Sequence, residues 1–178
     1  MTRDGRALRV GTRPAHGSWR WAVARTATSA IQGLDLAVDP AGGARLAFTD
    51  GAGTTAGAKL FVARPTGATW TAAVVPVPGT VAGIVALAVD AAGAEHVTYA
   101  LVGGNSLIWI GYARAVGGGW DATTLSEPNS NNSALGLALD DAGRPHVAYG
   151  IARHGSGTVH TTTVSYTHLR AHETVLDL

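Results

Sequence analysis

Bulky and small side chains alternate with a period of two at three places in the chain. The stretches are "LDLAVD" from Leu34, "VALAVD" from Val85 and "LGLALD" from Leu135. Successive residues of a strand point to opposite faces, so this pattern predicts strands. Leu34, Leu36 and Val38 fall on one face of the first, with Asp35, Ala37 and Asp39 on the other. Val85, Leu87 and Val89, then Leu135, Leu137 and Leu139, repeat the bulky face. A bulky face opposite a small one predicts sheets that stack and interdigitate. An Asp-x-x-Gly turn follows each strand (Asp39 to Gly42, Asp90 to Gly93, Asp140 to Gly143). Aspartate can accept backbone N–H groups ahead of it, and glycine takes the positive φ that such a hairpin needs. A second strand comes next, with Leu46 and Phe48, Val97 and Tyr99, or Val147 and Tyr149 on one face. "KLFVAR" or "LIWIGYAR" predicts a third, and "WTAAVVP" or "WDATTLS" a fourth. No stretch carries a helical period.

The spacing makes this a repeat. Arg13 to Trp19, Arg64 to Trp70 and Arg114 to Trp120 are each six apart, and Trp19 to Asp39, Trp70 to Asp90 and Trp120 to Asp140 are each twenty apart. The period is 51 and then 50 residues. Four short antiparallel strands in about fifty residues, repeated, predict the blades of a β-propeller. The pattern "LALDDAGRPHVAY" resembles bacterial β-propeller repeats of the sialidase-like and the SBBP or NHL-like kinds. The resemblance runs from Arg13 to about Thr163. Two residues separate Asp from Gly here (Asp90, Ala91, Ala92, Gly93), against one in the Asp-box of sialidase propellers, which argues against a strict Asp-box.

In the repeat frame the expected organisation is an outer half-blade over 1–33, complete blades over 34–84 and 85–134, and an inner half-blade over 135–163. Both ends then read as cut within a blade. Residues 164–178 break the repeat, and "VSYTHLRAHET" matches the translation of a transposase adapter used in sequencing-library preparation. The index frame that follows it accommodates "VLDL". The segment reads as a non-native tail and is set aside from the fold. His168 and His172, four apart with Glu173 alongside, would otherwise suggest metal ligands on a helix; under the adapter reading they are no site. A propeller fragment is expected to expose apolar blade faces and unpaired strand edges. It needs its missing blades to close a ring.

Composition adds exclusions. Of 178 residues 46% are apolar, 14% are charged and 24 are glycine. Lys59 is the single lysine, and the Ala, Gly, Val and Arg bias suggests a GC-rich gene. Thirteen basic against twelve acidic residues, with the arginines scattered, gives no footprint for nucleic acid or an anionic membrane. There is no cysteine, hence no disulfide framework. No apolar run is long enough to span a bilayer.

Candidate chemistry is sparse. Asp39, Asp90 and Asp140, with Gly42, Gly93 and Gly143, recur at one place in each repeat, which favours turn-capping over acid catalysis or calcium binding. His96 and His146 share a position that Arg45 fills in the first copy. A catalytic base is needed once, so a residue repeated per blade reads as a hydrogen-bonding partner within it. Trp19, Trp70 and Trp120 open a strand in each repeat and are expected to pack between blades. Trp109 breaks the repeat and is a weak ligand-binding candidate. The loop "EPNSNNS" matches no calcium-loop spacing, and Asn131, Asn132 and Ser133 form a sequon. His154 and His160 stand near the last repeat's end. No catalytic residue, metal ligand or cofactor site is assigned.

The expected function is that of a non-catalytic binding or scaffold propeller, recognising a glycan or a protein at one ring face, from a secreted or surface protein. The alternative is a sialidase-like glycoside hydrolase, a class in which clustered arginines grip a carboxylate beside a tyrosine–glutamate pair. Here Arg13, Arg64 and Arg114 come one per blade, which suits a structural role better.

Overall fold

The structure is a computed structural model that describes residues 6–51, 57–103, 107–126, 132–152 and 159–165, excepting the side chains of 132–134, 151–152 and 159–165. Among the described residues thirteen strands form four antiparallel sheets, each a simple up-and-down meander. The first sheet has β1 (Ala7–Thr12) and β2 (Arg20–Thr26). The second has β3 (Leu34–Val38), β4 (Ala44–Asp50), β5 (Lys59–Thr66) and β6 (Thr69–Val75). The third has β7 (Thr80–Val89), β8 (Glu95–Val102), β9 (Ile108–Val116) and β10 (Gly119–Thr124). The fourth has β11 (Asn132–Leu139), β12 (Pro145–Ala152) and β13 (Val159–Ser165).

The sheets stack face to face, and the first strands of successive sheets, β3, β7 and β11, lie against one another. β2 meets β6 at the opposite margin. Four-stranded meanders whose first strands converge are the blades of a β-propeller. The chain forms an arc of it.

Apolar side chains fill each seam. Between the second and third sheets Leu60, Val62 and Val75 pack on Leu87, Val97, Tyr99 and Leu101. Leu8 and Val10 meet Leu46 and Phe48 at the first seam, and Ala100 and Ile110 meet Val147 and Tyr149 at the third. Burying such a side chain fully stabilises by about 1.5–3 kcal/mol, so the seams rather than the turns hold the arc together.

The period of two explains which residues these are. In the register Leu36 pairs with Leu46 and Leu34 with Phe48, so those four share one face of the second sheet, and Asp35, Ala37, Arg45 and Ala47 share the other. Ala88 pairs with His96 and Ala138 with His146 at the equivalent places. Among the described residues no helix is long and apolar enough to cross a membrane. His168, His172 and Glu173, like Asn131 and His154, lie outside the described residues; of His160 only the backbone, within β13, is described.

Candidate functional site

The ionisable side chains gather at the end of the arc where the first and second strands of each blade turn. In each turn the glycine adopts positive φ (82° at Gly42, 83° at Gly93, 73° at Gly143). Its N–H reaches the aspartate carbonyl at 2.8–2.9 Å. The aspartate Oδ1 then accepts two further amides. Asp39 takes Ala41 N at 3.0 Å and Gly43 N at 2.6 Å. Asp90 takes Ala92 N at 3.0 Å and Ala94 N at 2.8 Å. Asp140 takes Ala142 N at 3.0 Å and Arg144 N at 2.9 Å.

The second oxygen differs from blade to blade. Asp39 Oδ2 pairs with Arg45 at 2.5 Å. Asp90 Oδ2 accepts Arg114 Nη2 at 3.2 Å and lies 3.3 Å from His96 Nε2. Asp140 Oδ2 accepts Arg144 Nε at 2.6 Å, with His146 Nε2 at 3.5 Å. The N–H of Arg144 is the main influence holding the Asp140 carboxyl down at about 2, helped by the Arg144 and His146 side chains against the opposing effect of desolvation. An NMR titration of the Asp140 carboxyl carbon should therefore have its midpoint near 2. A midpoint at the ordinary carboxylate value would mean that the turn amides are not donated in solution.

His96 is fully buried and bridges two groups. An ionised carboxylate only accepts, so Nε2 carries the proton toward Asp90, and Nδ1 accepts from the Tyr112 hydroxyl at 2.6 Å. Burial is the largest influence on His96 and lowers its pKa; the hydrogen bond to Asp90 opposes it and the Arg114 charge adds to it. Burial also raises the Tyr112 hydroxyl to about 12, so it stays a donor at any ordinary pH.

Three acids missed in the sequence do as much as those that were singled out. Glu95, buried, reaches across the seam to Arg45 Nε and Arg64 Nη2 of the preceding blade, each at 3.5 Å. At the other end of the blade Asp50, also buried, accepts Thr28 N (3.0 Å), Thr28 Oγ1 (2.9 Å) and Ser29 N (3.0 Å), with Arg25 at 3.7 Å. Asp35 caps a neighbour, its Oδ2 accepting Leu87 N at 2.7 Å across the seam. The signal for all three was departure from the repeat. Asp50 stands where the other copies have Leu101 and Ile151, Glu95 where they have Ala44 and Pro145, and Asp35 where they have Ala86 and Gly136.

The repeat arginines do not converge on one point. Arg13 Nε donates to Gly17 O at 2.9 Å within its own hairpin, while Arg64 meets Glu95 and Arg114 meets Asp90. The tryptophans divide. Trp70 and Trp120 pack against seam cores, whereas Trp19 is 57% exposed and stacks on Trp21, itself 65% exposed, with ring centroids 5.9 Å apart. They lie on the side of the first sheet away from the second, where no sheet among the described residues covers them. Trp109 packs against the core of the second seam. Its ring lies so close over Gly103 that a Cβ there would come within 1.7 Å of it.

At the end opposite the Asp turns, Lys59, Leu60, Val74, Val75, Pro76, Val77 and Gly79 line an open notch of about 160 Å³. That is below the 300 Å³ or so at which small-molecule sites begin. Among the described residues no three His, Cys, Asp or Glu side chains are grouped to hold a metal ion.

No family model matches the chain, and no curated protein does. Solved structures that resemble it include a fucose lectin from Kordia zhangzhouensis in complex with methyl-fucoside, at 12% identity and a TM-score of 0.49, covering 75% of this chain and 99% of the lectin. An endo-arabinase from Bacteroides thetaiotaomicron VPI-5482 has 15% identity and a TM-score of 0.49, covering 85% of this chain and 62% of the endo-arabinase.

Proposed function

We propose that the chain is part of a non-catalytic β-propeller that binds a glycan or a protein at one face of the ring, or serves as a scaffold for such binding, in an extracellular or cell-surface setting. The observation that carries this reading is the state of the acids. Asp39, Asp90 and Asp140 each commit one oxygen to turn amides and the other to a cation of their own blade. Glu95, Asp50 and Asp35 are engaged with guanidinium groups or backbone amides between blades. Most glycoside hydrolases need two carboxyl groups facing one bond across about 5–10 Å, and the sialidase-like exception needs a tyrosine–glutamate pair and a further acid, in each case with an oxygen free for proton transfer or attack. The acids engaged here are committed to the frame instead, and the arginines that a sialidase-like site would gather are spent one by one.

Two assays on the purified chain test the reading. Immobilised glycans should retain it saturably, or a protein ligand should do so, while a panel of aryl glycosides releases no aglycone above the buffer rate. Turnover of any of those glycosides, abolished by a single acid-to-amide substitution, would replace the binding reading with the hydrolase one.

A further inference from the structure

The seam between the two four-stranded sheets carries a cleft at the end where the Asp turns lie. Continued by one pair, the register sets Arg45 of β4 beside Arg64 of β5 in the second sheet. The facing row of the third sheet runs Glu95, Ala115, Trp120 across β8, β9 and β10. Both rows belong to the faces that make this seam, since Ala47 and Val62 on one side and Val97 and Ala113 on the other share its core. Neighbouring strands are about 4.8 Å apart, so the two steps from Glu95 over Ala115 to Trp120 span roughly 9–10 Å. Ala115 is a low floor between an acid and an indole, and Arg64 stands on the opposite wall. Arg64 is exposed, Ala115 and Trp120 are half-buried, and Glu95 is buried at the inner end. The other seams lack the acid, because Ala44 and Pro145 occupy its place.

The hydrogen bonding of this cleft is incomplete. Glu95 Oε1 and Arg45 Nε are both buried without a hydrogen bond. Oε1 lies 3.5 Å from Arg45 Nε and 3.5 Å from Arg64 Nη2, beyond the reach of about 2.7–2.9 Å at which charged donors and acceptors bond. Of the six acids described above, Glu95 is the one with a buried oxygen in this condition. A buried carboxylate oxygen with no donor is destabilising. A hydroxyl relieves it, because it donates to Oε1 while its own oxygen accepts from a guanidinium.

We propose that the cleft binds a neutral hexopyranose unit of a glycan, a proposal that rests on the glycan reading above and names its site. One sugar hydroxyl donates to Glu95 Oε1, and its neighbour on the ring accepts from Arg64. The apolar face of the ring lies on Trp120, and the small Ala115 leaves room for it. A few convergent polar groups beside an aromatic wall are the usual make-up of such a site. Arg64, its side chain 48% exposed, is free to turn its guanidinium aside and admit the hydroxyl. Arg45, 16% exposed and held by Asp39 at 2.5 Å, stays and keeps the carboxylate balanced. Charge decides for a neutral sugar over an anionic one. Asp39 and Glu95 match Arg45 and Arg64, so no positive charge is left over for a ligand carboxylate.

NMR titration of the isotope-labelled full chain with the methyl glycosides of glucose, galactose and mannose tests this. At least one should move the Trp120 indole and Arg64 guanidinium signals saturably, while the Trp19 and Trp21 indoles stay in place. Methyl glucuronoside, the anionic counterpart, should bind more weakly than the neutral sugars. Arg64→Ala and Glu95→Gln should each weaken binding by roughly tenfold or more, the worth of one hydrogen bond to a charged group. Arg64 is exposed, so its replacement keeps the β-sheet circular dichroism even where Glu95→Gln does not. Saturable binding indifferent to Arg64→Ala would put the sugar elsewhere and overturn this site while the glycan reading stands. A preference for the glucuronoside would overturn the neutral ligand. No shift with any of these glycosides would overturn the site altogether and leave the binding reading to a protein ligand.

Discussion

Asp50→Ala should destabilise the chain by about 2–4 kcal/mol, the cost of removing a buried carboxylate while leaving its hydrogen-bond donors in place. The carboxylate receives the amides of Thr28 and Ser29 and the Thr28 hydroxyl, and Ser29 Oγ lies at 3.3 Å. These residues begin the segment that carries the chain from the outer strand β2 to the inner strand β3. Alanine would leave those part-buried donors without their acceptor, and hydrogen bonds to a charged group are each worth about 1.5–3 kcal/mol. Arg25, stacked 4.9 Å over the Phe61 ring, would lose its counter-charge. Asn is expected to cost roughly half as much by the same reasoning, because it keeps an acceptor oxygen but not the charge. Urea unfolding of the two variants measures the difference, and hydrogen exchange at Thr28 and Ser29 should accelerate first. A midpoint shift no larger than that of an exposed substitution would show that the segment holds its place without Asp50. Burial acts to raise the Asp50 pKa, but the Thr28 and Ser29 donors outweigh it and the net shift is downward. A carboxyl lowered on folding contributes stability above its unfolded value of 3.8, lost as pH falls through the lower folded value.

Most of the fold was legible because its determinants are local and repeated. Alternation fixes which residues of β3, β7 and β11 share a face, and the Asp-x-x-Gly spacing places the hairpin between first and second strands. The partners of the acids were not legible. Asp39, Asp90 and Asp140 stand at one repeat position, yet the cations they meet are Arg45, Arg114 and Arg144, drawn from different strands and turns. The choice is made across the sheet and across the seam, at separations that a period cannot report. Arg45 and His96 show this most directly, since they occupy the same position and face the next blade. Arg45 meets Glu95 there, whereas the equivalent residue facing His96 is Pro145, which offers no charge. A guanidinium suits the second seam and a neutral imidazole the third. The Trp19–Trp21 stack was not legible for a related reason: position 21 is alanine in the other copies, so the repeat carries no sign of it.

The buried cluster around His96 should make the protein acid-sensitive well above the range in which carboxylates titrate. His96 is neutral in the folded chain and its pKa is lowered, chiefly by burial, so the unfolded chain takes up a proton near 6.5 that the folded chain refuses. Its contribution is fully present above 6.5 and is lost as pH falls from there through the depressed folded value. One proton sets a limiting slope of about 1.4 kcal/mol per pH unit. Asp90 works in the same direction at lower pH. Burial tends to raise its pKa, but the Ala94 amide and His96 bring it below 3.8. Urea midpoints measured from pH 8 to pH 4 should thus decline from about 6.5 downward. Tyr112→Phe removes the donor that stabilises neutral Nδ1 and should flatten that decline while lowering stability at pH 8. His96→Gln should abolish the upper part of it outright. If His96→Gln unfolds with the same pH dependence as the unsubstituted chain, the protons are taken up elsewhere and the Tyr112–His96–Asp90 chain is only a packing contact. If the dependence disappears, a single buried imidazole between two blades sets how acid an environment the propeller tolerates.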